Sequence, residues 1–440
     1  MKARVDKLPY KQLDVFSTNT KPGGDEMKCR AVNSDSRLST RVRRSLYIGS
    51  LILLCVSLLL GTVACTPTGQ LTAEEKLEDW QALVGMLEEN YPYFGVMERK
   101  NGFDWLARQD AYAKRLQRTR TDLQFAKRLS AIVAELRQGH TGVITPPAYG
   151  YMVATYVEHV NTLPQLAPWV ETLNQPLVQE RYADWGKHFC EQAMGGKTQP
   201  SGLRTGVIEP DKIAYLRVTS FAHDNIEADQ PKILQFLQDV SSYPYLIIDI
   251  RGNSGGSDFY WRNNILAPLL AEPLQAVMRT ALRGGEYGMS FMQPEEIAAL
   301  RPIAELPSGL DYPPELQTDF RYFSEPINLV EAGNSVGFQG EVYLLVDDKV
   351  FSAAEAFASF AKATGWATLV GQATAGDGGS GDPLPFALPN SGLIVRFPLK
   401  MMLNPDGTSN YEVGTVPDIL VPPGADALQV VLDLLNSEEG

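Results

Sequence analysis

Ser352 stands between an apolar run, Val342–Val346, and a stretch from Ser352 to Thr364 that is Ala- and Phe-rich on nearly all sides. That pattern predicts a buried strand feeding a buried helix. A helix N-terminus exposes unpaired N–H groups and the positive end of the dipole. A serine there can attack a carbonyl carbon while nearby amides, beginning with that of Ala353, receive the developing negative oxygen. The same tetrapeptide, Ser352-Ala353-Ala354-Glu355, also fits a capping box, with Ser at the N-cap and Glu three positions on. Taken alone, it favours the cap.

Three other segments hold groups such a serine would need. Arg251-Gly252-Asn253-Ser254-Gly255-Gly256 ends the apolar run Tyr245–Ile250, at the strand end where open α/β sheets place ligands. Paired glycines let the N–H of Gly255 or Gly256 approach a substrate closely, as an oxyanion hole requires; the alternative is a tight turn. His140, one of four histidines, follows a helical stretch in Gln138-Gly139-His140-Thr141. Histidine suits proton abstraction at neutral pH. Glu412 lies in the turn-rich segment Asp406–Asp418 and could orient a catalytic histidine. Metal catalysis finds no support: there is no His-Glu-x-x-His and no Cys-x-x-Cys.

The elements that must position these groups fall into two kinds. Leu77, Trp80, Leu83, Val84 and Leu87 recur at helical spacing until Tyr91-Pro92-Tyr93 breaks the pattern. Helical patterns return over 105–116 and 121–136, giving an N-terminal helical domain at 66–145. Residues 146–204 show no clear period and read as a linker or cap. From Lys212 onward, apolar strands (213–218, 245–250, 342–346, 367–370, 393–403) alternate with helices (230–240, 259–270, 352–364), which predicts an α/β core over 205–425. A closing helix and tail follow at 426–440, and the Pro-rich stretch 283–338 reads as an insertion within the core.

The 440 residues are 44% apolar and 21% charged, an ordinary globular balance. A net charge of −13 argues against nucleic acid, whose phosphates require clustered Lys and Arg. Arg41, Arg43 and Arg44 precede an apolar run, Leu46–Ala64, that ends in Thr62-Val63-Ala64-Cys65. A basic segment, an apolar segment and small residues before a cut site make an export signal. The cysteine directly after Ala64 makes it resemble a bacterial lipoprotein signal, with Cys65 lipidated; the alternative is an uncleaved membrane anchor. Either places the bulk of the chain in the cell envelope, outside the cytoplasm. Met27 offers a later start, and processing before Cys65 would leave Cys190 without an internal disulfide partner.

In order along the chain, these segments resemble the C-terminal-processing (tail-specific) serine protease family. Leu246–Gly256 resembles its strand and Gly-Gly oxyanion segment, and Phe351–Ala358 its nucleophile segment. Leu388–Gly392 and Gly414–Ile419 resemble later signatures. The resemblance implies a ClpP/crotonase-like α/β core, hydrolysis of protein or peptide substrates with Ser352 as nucleophile, and no cofactor. One branch uses a lysine base in the loop Thr374–Gly381, but this loop has none; Asp377 falls about where that lysine is expected, and Lys362 and Lys400 lie elsewhere. The other branch resembles the tricorn core protease, with His as base and Glu in support. That implies a Ser352, His140, Glu412 site, with Thr141 as a bridging hydroxyl and Gln138 replacing the acidic residue found before Gly-His-Thr in related chains. No PDZ signature is found between Pro146 and Gly202. Two alternatives remain: a non-catalytic ligand- or peptide-binding lipoprotein on the same fold, like the retinoid-binding relatives, or an unrelated lipoprotein in which Ser352 only caps a helix.

Overall fold

The computed structural model describes residues 70–186 and 200–437. The export segment with Cys65, Cys190 and the glycines at 195–196 lie outside the described residues. Strands are numbered β1–β15, and helices of seven or more residues α1–α10, in chain order.

A six-stranded sheet forms the centre, in the order β15 (Ile419–Leu420), β11 (Thr368–Gly371), β10 (Glu341–Val346), β4 (Tyr245–Asp249), β3 (Ile213–Arg217), β2 (Arg204–Glu209). All pairings are parallel except β2–β3. The inner strands are apolar on both faces because both are covered. Leu246 and Ile248 point into a cluster with Ile233 and Leu237 of α8 (Ile226–Asp239) and Phe357 and Phe360 of α9 (Ala353–Thr364). Ile247, one residue out of phase, joins Val431 and Leu435 of α10 (Ala427–Ser437) on the opposite face. This is the α/β core anticipated from the alternating pattern.

The N-terminal helices are α1 (Ala73–Asn90), α2 (Phe94–Asn101), α3 (Gln109–Gln117) and α4 (Asp122–Ala134). Thr72 and Glu75 form a capping box at the start of α1. Trp80, Leu83, Val84 and Leu87 are buried, as their spacing predicts. These helices share one apolar cluster with β12 (Leu384–Ala387), β13 (Ile394–Phe397) and β14 (Lys400–Leu403), so the boundary drawn at 145 does not separate two cores. The aperiodic stretch after it folds as α5 (Pro146–His159), α6 (Ala167–Leu173) and α7 (Pro176–Gly186).

Within the stretch read as an irregular insertion, the structure places short strands. β8 (Tyr322–Ser324) pairs with β6 (Arg279–Leu282), which pairs in turn with β14. Pro398 splits the single strand expected over 393–403 into β13 and β14, since proline cannot donate to the ladder. β1 (Gly142–Val143) pairs with β13, Gly142 opposite Arg396. That pairing fixes the loop carrying His140 over the C-terminal ends of the central strands. No helix among the described residues is long and apolar enough to cross a membrane.

Candidate active site

Ser352 sits at the strand-to-helix turn with φ 57° and ψ −125°, backbone space that favours glycine. Holding a serine there costs about 1–3 kcal/mol, so the surroundings must enforce it. Phe351 N–H donates to Asn253 O at 3.2 Å, and Ser352 N–H to Gly376 O at 3.4 Å. Ala356 N–H donates to Ser352 O at 2.8 Å, so α9 pulls on the turn from the other side. The sharp turn presents the hydroxyl instead of folding it back. Ser352 makes no side-chain cap bond, and Glu355 points into the protein. The capping-box reading therefore does not describe this turn.

The hydroxyl meets His140: Ser352 Oγ lies 3.0 Å from Nε2. Nδ1 of the same ring lies 2.6 Å from Asp377 Oδ2. An ionised carboxylate only accepts, so Nδ1 carries the proton and Nε2 offers its lone pair to Ser352. Phe351 packs on the imidazole, ring centroids 4.7 Å apart. Asp377 is buried, and its carboxylate collects two further donors. Tyr93 OH donates to Oδ1 at 2.8 Å and Gln138 Nε2 to Oδ2 at 2.5 Å. Burial, reinforced by the Asp377 charge, pushes the Tyr93 phenol well above its ordinary range, so it stays a donor.

Gln138 thereby gains a physical role. Its Oε1 accepts from His140 N–H at 2.7 Å and from Thr141 Oγ at 2.8 Å, while its Nε2 holds Asp377. A carboxylate at position 138 would set two like charges against each other, so the amide is the partner that Asp377 requires. Thr141 supports this loop through Gln138 and does not bridge to Glu412.

Glu412 is not brought to His140. Its two oxygens take Arg99 Nε and Nη2, each at 2.7 Å, and Arg99 also forks onto Glu315. These pairs raise the Arg99 pKa further. Glu412 thus ties α2 to the helical turn Asn410–Val413, and the acid facing the histidine is Asp377. Residue order near the Pro-Asp signature suggested Glu412; the ion pair to Arg99 holds its side chain elsewhere. The lysines are also engaged away from the serine, Lys400 with Glu296 at 2.7 Å and Lys362 with Asp418.

The glycine pair lies against the nucleophile turn. A β-carbon on Gly255 would fall 2.8 Å from Ser352 Cβ and 2.9 Å from Ala353 N. One on Gly256 (φ 141°) would fall 2.2 Å from Phe221 O. Gly255 N–H is held by Asn253 Oδ1 at 2.9 Å. Among the described residues neither Gly256 N–H nor Ala353 N–H has a protein acceptor. The pair left to receive an anion is therefore Ala353 and Gly256.

Behind the turn, Glu355 is fully buried on α9. Its Oε1 accepts from Asn410 Nδ2 and Thr415 Oγ, each at 2.6 Å, and Oε2 has no partner. Burial pushes this carboxyl up to about 7, the nearby Asp377 adding to the rise. Asn410 Oδ1 in turn accepts from Gly378 N–H at 3.3 Å, so the acid loop and the nucleophile helix are buttressed through one network.

Sequence reading missed Asp377, Tyr93 and Asn253 as site residues. Asp377 was visible as the residue in the lysine slot. Its glycine-flanked loop and positive φ (65°) mark a built turn.

Residues 212–421 match the model described as Peptidase family S41. A candidate peptidase from Parabacteroides merdae ATCC 43184 is similar in structure, with a TM-score of 0.51 at 19% identity over 83% of this chain and 97% of that one. Mature CPAF complexed with lactacystin is similar at a TM-score of 0.50 and 15% identity, over 80% of this chain and 94% of that one. At these identities the likeness is one of fold. The family match and the fold agree with the order of segments along the sequence: residues 212–421 form a domain of peptidase family S41, the C-terminal-processing serine proteases.

Proposed function

We propose that this chain is an exported, membrane-tethered serine peptidase that cleaves proteins or peptides by acyl transfer through Ser352, His140 and Asp377. The observation that carries the reading is the unbroken hydrogen-bond chain from Ser352 Oγ through both His140 nitrogens to a buried carboxylate. His140 Nε2 takes the Ser352 proton as Oγ bonds to the peptide carbonyl carbon. Ala353 N–H and Gly256 N–H hold the oxyanion, each such donor contributing about 3–4 kcal/mol to the barrier. The tetrahedral adduct collapses, His140 returns the proton to the departing amine, and the acyl group remains on Ser352. Water, deprotonated by His140, then releases it. Asp377 keeps Nδ1 protonated and stabilises the transient imidazolium.

Export and tethering rest on the segment Arg41–Cys65, with Cys65 as the lipidated residue and the cell envelope as the location. The test is mapping of new peptide termini in cells carrying active enzyme or Ser352→Ala, together with membrane fractionation of Cys65→Ala. Termini that depend on Ser352, and release of Cys65→Ala from the membrane fraction, are expected. Identical termini in both strains would refute the peptidase; retention of Cys65→Ala would refute the lipid tether.

A further inference from the structure

The acidic chain carries a strongly basic face among the described residues. Between residues 109 and 131, Lys114, Arg115, Arg118, Arg120, Lys127 and Arg128 stand against only Asp110 and Asp122. Asp122 is engaged, accepting from Arg181 Nη1 and from Leu71 N–H, each at 2.8 Å. Arg115 reaches Glu135 at 3.4 Å, while Arg118, Lys127 and Arg128 are exposed and form no ion pair among the described residues. Between α3 and α4 these side chains line an open basin of about 560 Å³ with Thr119 and Gln124, and no carboxylate lines it.

The same hairpin receives the incoming chain. Besides the Leu71 bond to Asp122, Lys76 Nζ donates to Thr119 O at 2.9 Å. Cys65 is six residues before Leu71, so a fully extended link spans at most about 20 Å. A lipid on Cys65 therefore keeps the bilayer surface within about 20 Å of Leu71, which is bonded to the same hairpin that carries the basin. Guanidinium forks match phosphate oxygens, and cations gain from an anionic surface within about 10 Å, the screening length.

We propose that the α3–α4 face docks on anionic phospholipid headgroups of the leaflet that holds the tether, fixing how the peptidase stands on the membrane. This docking rests on the tether proposed at Cys65.

The test reconstitutes the full chain, through its own N-terminal segment, into vesicles of phosphatidylcholine alone or mixed with phosphatidylglycerol. Acetylation of Lys127 is followed, with Lys232 as reference. Lys127 should be acetylated several-fold more slowly in the phosphatidylglycerol vesicles only, and high salt should restore its rate. Arg118→Gln/Arg128→Gln should restore it too, with Ser352 labelling by a fluorophosphonate unchanged as a check on folding. Equal Lys127 rates in both vesicles, with the chain bound to both, overturn the docking face while leaving the tether standing. A chain that stays with neither vesicle refutes the tether, and the proposal with it. Equal protection by inorganic phosphate or a soluble acidic peptide without vesicles would make the basin a small-anion or protein site, and would also overturn the proposal.

Discussion

Replacing Asp377 by Asn should lower kcat about 10³-fold, and the surroundings of the carboxylate explain why the loss stops there. Three donors converge on its two oxygens. An Asn oxygen placed at Oδ2 still accepts from Gln138 Nε2 and His140 Nδ1–H. Its amide then faces Tyr93 OH, which can accept and turn its own proton to Lys400 O, already 3.3 Å away. The histidine tautomer is kept and only the charge is lost. An imidazolium and a carboxylate about 4 Å apart at an effective dielectric near 20 attract by ~4 kcal/mol, or about three powers of ten in rate. Losing the tautomer as well would cost about 10⁴. Adding Tyr93→Phe removes the acceptor for the Asn amide and should carry the double variant towards that larger loss. The assay is kcat on a fluorogenic peptide, with ¹⁵N NMR of His140 reporting the protonated nitrogen. Glu412→Gln should stay within about fivefold, since a partly exposed ion pair contributes about 1 kcal/mol or less. The reasoning is refuted if Asp377→Asn stays within tenfold of wild type, if its proton sits on Nε2, or if Glu412→Gln is the more damaging change.

Other outcomes follow from the same geometry. Glu355 has a folded pKa near 7, above its unfolded value, so its stabilising contribution is complete below about pH 4.5 and declines as pH rises to about 7, by roughly 3 kcal/mol in all. Glu355→Gln, which keeps an acceptor for Asn410 and Thr415, should flatten this dependence in urea unfolding at pH 5 and pH 8; an unchanged slope would assign it to other groups. Gly256→Ala would drive a β-carbon to 2.2 Å from Phe221 O and shift the oxyanion N–H, so kcat should fall by about 10²–10³ with KM little changed; near-normal kcat would remove Gly256 from the hole. Tyr93→Phe alone should lower the urea-unfolding free energy by about 1.5–3 kcal/mol, the usual worth of a hydrogen bond to a charged group; no change would mean that water replaces the phenol.

The sequence made the central sheet legible because strands covered on both faces must be apolar throughout, as Leu246–Ile248 and Leu344–Leu345 are. The helical spacing of α1 gave its buried face equally well. The segment 146–186 was opaque because α5, though 14 residues long, buries only Pro146 and Met152 fully, and α6 spans just seven residues, leaving no sustained apolar period. The contents of 283–338 were hidden because β8 pairs with β6, about 40 residues earlier, and β6 pairs in turn with distant β14, pairing that no local pattern records. At the site, Ser352, His140 and the glycine pair were found by order along the chain. The acid was misassigned because residue order gives proximity in sequence only. Arg99 on α2 holds Glu412, while Tyr93 and Gln138, remote in sequence from the acid loop, create the place for Asp377.

The most direct test is covalent labelling by a fluorophosphonate probe, read by mass spectrometry of the modified peptide. The account predicts one adduct, on Ser352, absent in Ser352→Ala, strongly slowed in His140→Ala and Asp377→Asn, and nearly unchanged in Glu412→Gln. Folded protein that takes no label, or labelling of Ser352 that survives His140→Ala at full rate, would contradict it.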